Sequence, residues 1–169
     1  NSQKAIRNVQ EKAQLAGYAA DLIKEGDVVF LEASTTNELL IPHLSNRQVT
    51  VVTNSIYHAV KLVDLGISTR IIGGKVKHST IRQLNFDCAF IGANGVDANY
   101  FTTPDMEEAV IKRTVIANAQ KAYVLADASK LGQITYAKVA EVEKVTIITN
   151  ASEEGLLKEL KEKTRVIEV

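Results

Sequence analysis

The stretch VVFLEASTT, residues 28–36, joins a short apolar run of β-forming residues to a turn rich in hydroxyl side chains. An apolar run that ends in a polar turn and continues as a helical pattern is typical of a strand-to-helix connection in a parallel sheet. Three more stretches repeat this arrangement: Thr53-Asn54-Ser55, Asn94-Gly95-Val96-Asp97 and Ala126-Asp127-Ala128-Ser129-Lys130. Ligands of open parallel sheets gather outside the carboxyl ends of the strands, so the four stretches predict one site for a small, polar, anionic molecule.

Strand and helix patterns alternate along the whole chain. This alternation predicts an α/β fold with an open, mostly parallel sheet and helices on both faces. The predicted strands are 28–31, 49–52, 69–72, 86–91, 122–125, 145–148 and 165–167. The predicted helices are 11–25, 35–44 with Pro42 ending or bending it, 55–65, 104–120 with Thr103 as N-cap and Pro104 in its first turn, and 152–163.

One connection is short for this fold. Between Gly73-Gly74 and Phe86 lie only residues 75–85, with little apolar material. A crossover between parallel strands needs a dozen or more residues. The sequence therefore predicts either an unusual crossover or a segment that is missing at this place.

The composition indicates one globular domain over residues 1–169. Nearly half of the residues are hydrophobic, and 20 basic residues balance 20 acidic ones, so no overall field attracts nucleic acid or an anionic membrane surface. The single Cys88 lies in an apolar run and is expected to be a buried thiol, which fits a reducing cytoplasm. We expect neither a signal peptide nor a membrane span.

Each polar stretch also has a plainer interpretation. The residues Ser34, Thr35, Thr36, Thr53, Asn54 and Ser55 are ordinary helix-capping types, Asn94-Gly95 is a strong turn signal, and Lys112 and Lys130 are residue types usually found on the surface. The glycine pair Gly73-Gly74 is a weak motif, and either a turn or a close approach to a ligand explains it. Recurrence at several strand ends favours a ligand pocket. The three histidines lack metal-ligand spacing, and no nucleophile or phosphate-loop motif occurs, so no metal or cofactor is predicted.

Taken together, the motifs of the chain resemble the C-terminal effector-sensing domain of DeoR-family transcriptional repressors of bacterial sugar metabolism. The resemblance runs nearly end to end. It is carried by Glu11-Lys12, Ala19-Ala20, Gly26-Asp27, Phe30-Leu31 with Ser34-Thr35-Thr36, Val52-Thr53-Asn54-Ser55, Gly73-Gly74, Phe90-Ile91-Gly92 with Asn94-Gly95-Val96-Asp97, Thr102-Thr103-Pro104-Asp105, Glu107-Glu108-Ala109 with Lys112-Arg113, and Leu125-Ala126-Asp127-Ala128-Ser129-Lys130.

This resemblance implies a fold like ribose-5-phosphate isomerase and the CoA transferases, and a phosphorylated sugar or polyol as effector. It also implies a homo-oligomer that holds operator DNA through an N-terminal winged helix-turn-helix, a part absent from this chain. We expect at least one of Lys112 and Lys130 to bind the phosphate of the effector and to contribute little to the stability of the fold. The implied effector-binding residues are Ser34, Thr35, Thr36, Thr53, Asn54, Ser55, Gly73, Gly74, Asn94, Gly95, Asp97, Thr103, Glu108, Lys112, Asp127 and Lys130.

The chain departs from the family pattern at three places. Ser34 stands where the family usually has glycine, and Tyr100-Phe101 replaces the usual Gly-Leu. The family segment between Gly73-Gly74 and Phe86 is largely missing, in agreement with the short crossover.

The alternative hypothesis is a sugar-phosphate isomerase, because residues 90–131 can be laid without gaps on ribose-5-phosphate isomerase. In that comparison the two active-site aspartates of the enzyme fall on Ile91 and Asn94. Its lysine falls on Pro104 and its catalytic glutamate on Arg113. Aldose–ketose exchange needs such groups to move a proton, so the resemblance favours a sensor over an enzyme.

Overall fold

The computed structural model describes residues 2–72, 78–151 and 154–169. In this part of the chain seven parallel strands form the main sheet, in the order β10-β9-β7-β4-β1-β2-β3. The strands are β1 (Val28–Leu31), β2 (Thr50–Thr53), β3 (Ser68–Ile71), β4 (Phe86–Gly92), β7 (Ala119–Leu125), β9 (Thr146–Thr149) and β10 (Val166–Glu168). The predicted parallel α/β sheet is confirmed, with strand bounds within a few residues of those expected.

A second, three-stranded antiparallel sheet lies beside the main one and was not predicted. It has the order β5-β6-β8, with β5 at Gly95–Val96, β6 at Tyr100–Thr103 and β8 at Ala137–Glu141. The hairpin β5–β6 pairs Gly95 with Thr102. Strand β5 has only two residues, and the short strands β6 and β8 have a mixed polar composition, so the sequence gives too little periodicity for a strand assignment.

Among the described residues, six α-helices pack on the sheet or flank it. They are α1 (Ser2–Asp21), α2 (Thr35–Leu40), α3 (Ile56–Asp64), α4 (His78–Ile81), α5 (Met106–Asn118) and α6 (Glu154–Lys163). A 3-10 turn, Ile41–Leu44, follows α2 and contains Pro42, so the expected break is confirmed. The start of the predicted helix 152–163 falls partly outside the described residues.

The start of α5 corrects one prediction. Thr103 belongs to β6 and does not cap the helix; Asp105 is the N-cap and its carboxylate accepts the N–H of Glu107 at 2.8 Å. Pro104 therefore lies before the helix and not in its first turn. Helix α5 also ends at Asn118 and not at residue 120, because β7 already begins at Ala119.

Both faces of the sheet are covered, as a run of apolar strand residues requires. Val29 and Leu31 of β1 pack with Leu15 of α1 and Leu40 of α2. Phe30 points to the opposite face and packs against Ile81 and Val115 of α4 and α5, and Leu157 and Leu160 of α6 join a third cluster with β7 and β9.

The chain reverses its direction of travel across the sheet at β1. From β1 it proceeds through β2 to the edge strand β3, then returns to β4 on the other side of β1 and continues to β7, β9 and β10. The crevice between the carboxyl ends of β1 and β4 is thus the topological switch point, where ligands of such sheets bind. The return from β3 to β4 carries α4, but Gly73-Gly74 and the question of a missing segment lie outside the described residues.

Candidate functional site

A cavity of about 260 Å³ opens at this switch point. Glu32 and Ala33 follow β1, Gly92 ends β4 and Ala93 follows it, and α5 covers one side of the cavity. Its walls combine carboxylate, ammonium, amide and hydroxyl groups with a few apolar atoms. The lining residues are Glu32, Ala33, Ser34, Asn54, Gly92, Ala93, Asn94, Glu108, Ile111 and Lys112.

An ion pair forms the floor of the cavity. Nζ of Lys112 donates to Oε1 of Glu32 and, at 3.1 Å, to the carbonyl of Gly92. The N–H of Gly92 donates to the same Oε1 at 3.0 Å. Lys112 is 5% exposed and Glu32 8%, so this lysine lies in the interior, and the plainer interpretation as a surface lysine is wrong at this position.

Burial has the largest effect on the pKa of Glu32. It raises the pKa of the Glu32 carboxyl above its ordinary value, against the opposing effect of Lys112 and the Gly92 N–H. The nearby charge of Glu108 acts in the same direction as burial. Glu108 is itself exposed, and its Oε2 accepts from the hydroxyl of buried Thr103 at 3.1 Å.

The loops that end β1 and β2 (residues 32–36 and 53–55, the first flank) are fixed by capping bonds. Ser34 caps α2 by accepting the N–H of Asn37 at 3.0 Å, and Ser55 caps α3 by accepting the N–H of His58 at 3.2 Å. Oδ1 of Asn54 accepts the N–H of Ala33 at 2.8 Å, and the hydroxyl of buried Thr53 accepts the N–H of Ser55. The plainer capping interpretation is therefore correct for Ser34 and Ser55.

A buried amide ties the two central strands together below the cavity. Nδ2 of Asn37 donates to the carbonyl of Glu32 at 2.8 Å and to the carbonyl of Phe90 at 3.1 Å. Asn37 is fully buried, and its Oδ1 has no hydrogen-bond partner among the described residues. The amide thus spans β1 and β4 at the point where the cavity opens.

A buried imidazole lies behind the first flank. His58 of α3 is 4% exposed, and its Nδ1 has no partner in the described part of the chain. Burial lowers the pKa of His58 below its ordinary value, although a hydrogen bond to the backbone of Ser34 and the charge of Glu38 act the other way. The imidazole is therefore held mainly neutral near neutral pH.

A second lysine reaches the first flank and was not among the predicted site residues. Nζ of Lys12 on α1 donates to the hydroxyl of Thr35 at 2.9 Å. Thr35 is exposed and Thr36 is half-buried, one and two residues beyond the cavity-lining Ser34. The Glu11-Lys12 motif had been noted in the sequence, but helical spacing alone does not say which loop such a lysine reaches.

The loops that end β7 and β9 (residues 126–130 and 149–151, the second flank) do not line the cavity. Asp127 caps a short 3-10 turn, Ala128–Lys130, by accepting the N–H of Ser129 at 2.9 Å. Oδ1 of Asn150 accepts the N–H of Ala128 at 2.9 Å. Lys130 is half-buried at the end of that turn.

The stretch Asn94-Gly95-Val96-Asp97 is largely a hairpin. Oδ1 of Asp97 accepts the N–H groups of Asn99 and Tyr100, both at 2.7 Å, and so forms the turn between β5 and β6. A Cβ on Gly95 would lie 2.3 Å from the carbonyl oxygen of Gln133, so this glycine is required by packing. Only Asn94 of this stretch lines the cavity.

The structure therefore brings five of the predicted site residues to one cavity. These are Ser34, Asn54, Asn94, Glu108 and Lys112. The other five lining residues, Glu32, Ala33, Gly92, Ala93 and Ile111, were not among the implied effector-binding residues. A carboxylate directly after a buried strand was the available signal for Glu32. Predicted residues that do not line the cavity are Thr35, Thr36, Thr53, Ser55, Gly95, Asp97, Thr103, Asp127 and Lys130, while Gly73 and Gly74 lie outside the described residues.

The described residues show neither a metal-binding cluster nor a membrane-spanning helix. Residues 2–72, 78–151 and 154–169 hold no cluster of three or more His, Cys, Asp or Glu side chains arranged to bind a metal. Among the helices of the same ranges, none is both long and apolar enough to cross a membrane.

The fold and the switch-point cavity define a domain like that of ribose-5-phosphate isomerase. The crystal structure of ribose 5 phosphate isomerase A from Neisseria gonorrhoeae superposes with a TM-score of 0.56 and 16% identity, over 73% of this chain and 53% of that chain. At this identity the likeness shows the fold alone. A family model described as the DeoR C terminal sensor domain matches residues 7–151, and the chain belongs to this family.

Similar proteins are named as transcriptional regulators. FruR of Bacillus subtilis, an uncharacterized HTH-type transcriptional regulator, is 38% identical over 177 residues, 97% of this chain and 70% of FruR. The lactose phosphotransferase system repressor of Streptococcus mutans is 27% identical over 182 residues, 99% of this chain and 72% of that repressor. The chain thus spans about seven tenths of the length of these two relatives.

Proposed function

We propose that the cavity binds a phosphorylated sugar or polyol and that its occupancy changes operator binding by the regulator to which this sensor domain belongs. The observation that carries the proposal is the cavity at the β1/β4 switch point, lined by amide, hydroxyl and charged groups of the first flank, β4 and α5. Its volume of about 260 Å³ suits a small polar ligand. The names of the related regulators support a role in sugar metabolism.

The phosphate is assigned to the outer part of the first flank. Lys112 is engaged by Glu32 and Gly92, so its charge is already neutralised. Lys12 lies beside the hydroxyl of Thr35, one residue from the cavity wall, and offers an ammonium group to an anion there. We therefore replace the initial pairing of Lys112 or Lys130 with the phosphate by Lys12, with Thr35 and Thr36 as hydroxyl donors.

The coupling to DNA follows from linkage. If one arrangement of a homo-oligomer binds the ligand better, occupancy shifts the population toward it and alters the spacing of the attached DNA-binding modules. The N-terminal winged helix-turn-helix, the oligomer and operator DNA are part of this proposal and rest on the family resemblance. Light scattering that finds only monomer at micromolar concentration contradicts the oligomer.

The test is calorimetric titration with fructose 1-phosphate, tagatose 6-phosphate, glycerol 3-phosphate and 2-deoxyribose 5-phosphate. At least one is expected to bind, and Lys12→Ala should weaken it on the order of tenfold to a hundredfold, since a charge-assisted hydrogen bond contributes about 1.5–3 kcal/mol. Lys24→Ala, an exposed position on the loop after α1, is the matched control. No binding by any of the four sugars contradicts the proposal.

The same cavity is tested for the alternative enzyme function. We propose that the domain has no isomerase activity, because Ile91, Asn94, Pro104 and Arg113 stand where the resemblance places the acid and base groups. Ribose 5-phosphate incubated with the protein should give no ribulose 5-phosphate above background. Turnover that disappears in Glu32→Gln would favour the enzyme hypothesis instead.

A further inference from the structure

We infer that Glu32 reads a hydroxyl group of the ligand and that the cavity floor excludes a second phosphate, so that the site takes monophosphates in preference to bisphosphates. This inference rests on the proposed function and specifies the ligand class of the same cavity. Glu32 lies in the first of the four polar stretches but was not among the effector-binding residues implied by the resemblance. The assignment follows from the contacts of its two carboxylate oxygens.

The two oxygens of Glu32 have different surroundings. Oε1 accepts from Lys112 and from the N–H of Gly92, which fixes the orientation of the carboxylate. Oε2 has no hydrogen-bond partner among the described residues, although the side chain is only 10% exposed and lines the cavity. Oε2 is therefore the carboxylate oxygen left open to the cavity, where a ligand hydroxyl can donate a hydrogen bond to it.

The charges that line the cavity disfavour a phosphate group bound next to Glu32. Two carboxylates, Glu32 and Glu108, and one ammonium, Lys112, line the cavity, which leaves one net negative charge. Lys112 is held by acceptors of the protein itself. A sugar hydroxyl donates to a carboxylate without an added charge, whereas a second phosphate would add like charge in a poorly solvated site.

The test compares each monophosphate with its bisphosphate on the same protein. Fructose 1-phosphate and tagatose 6-phosphate are titrated beside fructose 1,6-bisphosphate and tagatose 1,6-bisphosphate, and glycerol 3-phosphate serves as the smallest monophosphate. The wild-type protein should bind the monophosphate of a pair at least tenfold more tightly. Equal or tighter binding of the bisphosphate overturns the inference and leaves the proposed function standing.

Three substitutions locate the effect. Glu32→Gln should weaken the bound monophosphate about tenfold, because a charge-assisted hydrogen bond becomes a neutral one. Glu108 is exposed, so Glu108→Gln should fold normally. This variant should reduce the ratio of monophosphate to bisphosphate affinity several-fold. Glu107→Gln, next to it on α5 and not lining the cavity, is the matched control and should leave both affinities unchanged.

Folding is monitored by circular dichroism, because Glu32→Gln leaves Lys112 without its charged partner. If that variant does not fold, the double variant Glu32→Gln/Lys112→Met restores a neutral floor, and Glu108→Gln still tests the charge argument. Unchanged monophosphate affinity in folded Glu32→Gln or in the double variant overturns the hydroxyl contact. An unchanged preference in Glu108→Gln overturns the exclusion of the second phosphate. If no monophosphate binds the wild-type protein, the proposed function fails and this inference fails with it.

Discussion

The first and second flanks have the same local construction. Residues 50–55 read TVVTNS and residues 146–151 read TIITNA. In both, the threonine hydroxyl accepts the N–H two residues ahead, at 3.2 Å in the first flank and 3.1 Å in the second. In both, the asparagine Oδ1 accepts an N–H from the loop after the neighbouring strand, at 2.8 and 2.9 Å.

Only the first flank lines the cavity at the switch point. It adds Glu32 to the shared pattern, and α5 brings Lys112 to that carboxylate. In the second flank the acidic residue Asp127 caps its own turn. The Thr-Asn pattern therefore fixes strand ends, and the candidate site arises from charged groups added at the point where the strand order reverses.

Removal of a lysine next to each flank gives the largest expected contrast. Lys112→Ala leaves Glu32 buried without its partner and should lower the free energy of unfolding by about 3–5 kcal/mol. Lys130→Ala removes a half-buried lysine that forms no ion pair with the described residues, and it should change the free energy of unfolding by less than about 0.5 kcal/mol. Urea denaturation of the two variants measures both values. Similar losses would mean that the floor ion pair is not formed.

Substitutions of two glycines near the end of β4 distinguish an effect on packing from an effect on ligand binding. Gly95→Ala places Cβ 2.3 Å from a backbone oxygen and should destabilise the fold by about 1–3 kcal/mol. At Gly92 the new Cβ lies 3.6 Å from Oε1 of Glu32, an ordinary contact, so Gly92→Ala should fold normally. Its methyl group enters the cavity, however, and calorimetry should find weaker ligand binding. Gly155→Ala, with no atom within 4 Å of its Cβ, is the control. Unchanged affinity in Gly92→Ala would place the ligand elsewhere.

Acidification tests the imidazole behind the first flank. Because the pKa of His58 is lower in the folded protein than the unfolded value of about 6.5, the unfolded state binds more protons below that pH. Stability should then fall as the pH drops from about 6.5 toward the folded pKa, with a slope of at most about 1.4 kcal/mol per pH unit from this group.

Chemical denaturation from pH 8 to pH 5 measures this slope. His58→Gln should reduce it, whereas His43→Gln, at an exposed position, should leave it as in the wild-type protein. An identical slope in His58→Gln and wild type would contradict the burial effect.

The two asparagines give the smallest and most closely matched comparison. Asn54→Ala and Asn150→Ala each remove one hydrogen bond to a loop N–H and should each cost about 1 kcal/mol. Thermal denaturation should find nearly equal shifts. Ligand affinity should fall in Asn54→Ala alone, because Asn54 lines the cavity and Asn150 does not. Equal affinity losses would show that the second flank also contributes to binding.

The sequence predicted well those features that arise from local pattern. The buried parallel strand β1 is a continuous apolar run, β4 is apolar from Cys88 to Ile91, and Pro42 breaks its helix as expected. The small antiparallel sheet was missed because β5 has only two residues and Gly95 resembled a simple turn.

The site combines residues that are far apart in the sequence, so local patterns could not predict its full composition. Glu32 and Lys112 are 80 residues apart, and no local rule pairs them. Asp127 and Lys130 follow a strand and are residue types that bind polar ligands. The carboxylate of Asp127, however, accepts hydrogen bonds from Ser129 within its own turn. Capping residues and ligand-binding residues share the same side-chain chemistry, so only the position of each loop relative to the switch point separates them.

The amide of Asn37 couples the ends of the two central strands, β1 and β4. It holds the carbonyls of Glu32 and Phe90 at once, and the N–H of Glu32 also donates to the carbonyl of Phe90 at 3.2 Å. Separation of β1 from β4 would leave these buried polar groups without hydrogen-bond partners, at a cost of about 1–3 kcal/mol for each group. These shared bonds hold β1 and β4 together beneath the cavity, so if the proposed ligand changes the shape of the site, we expect the change in α5 and the loops above and not in the sheet.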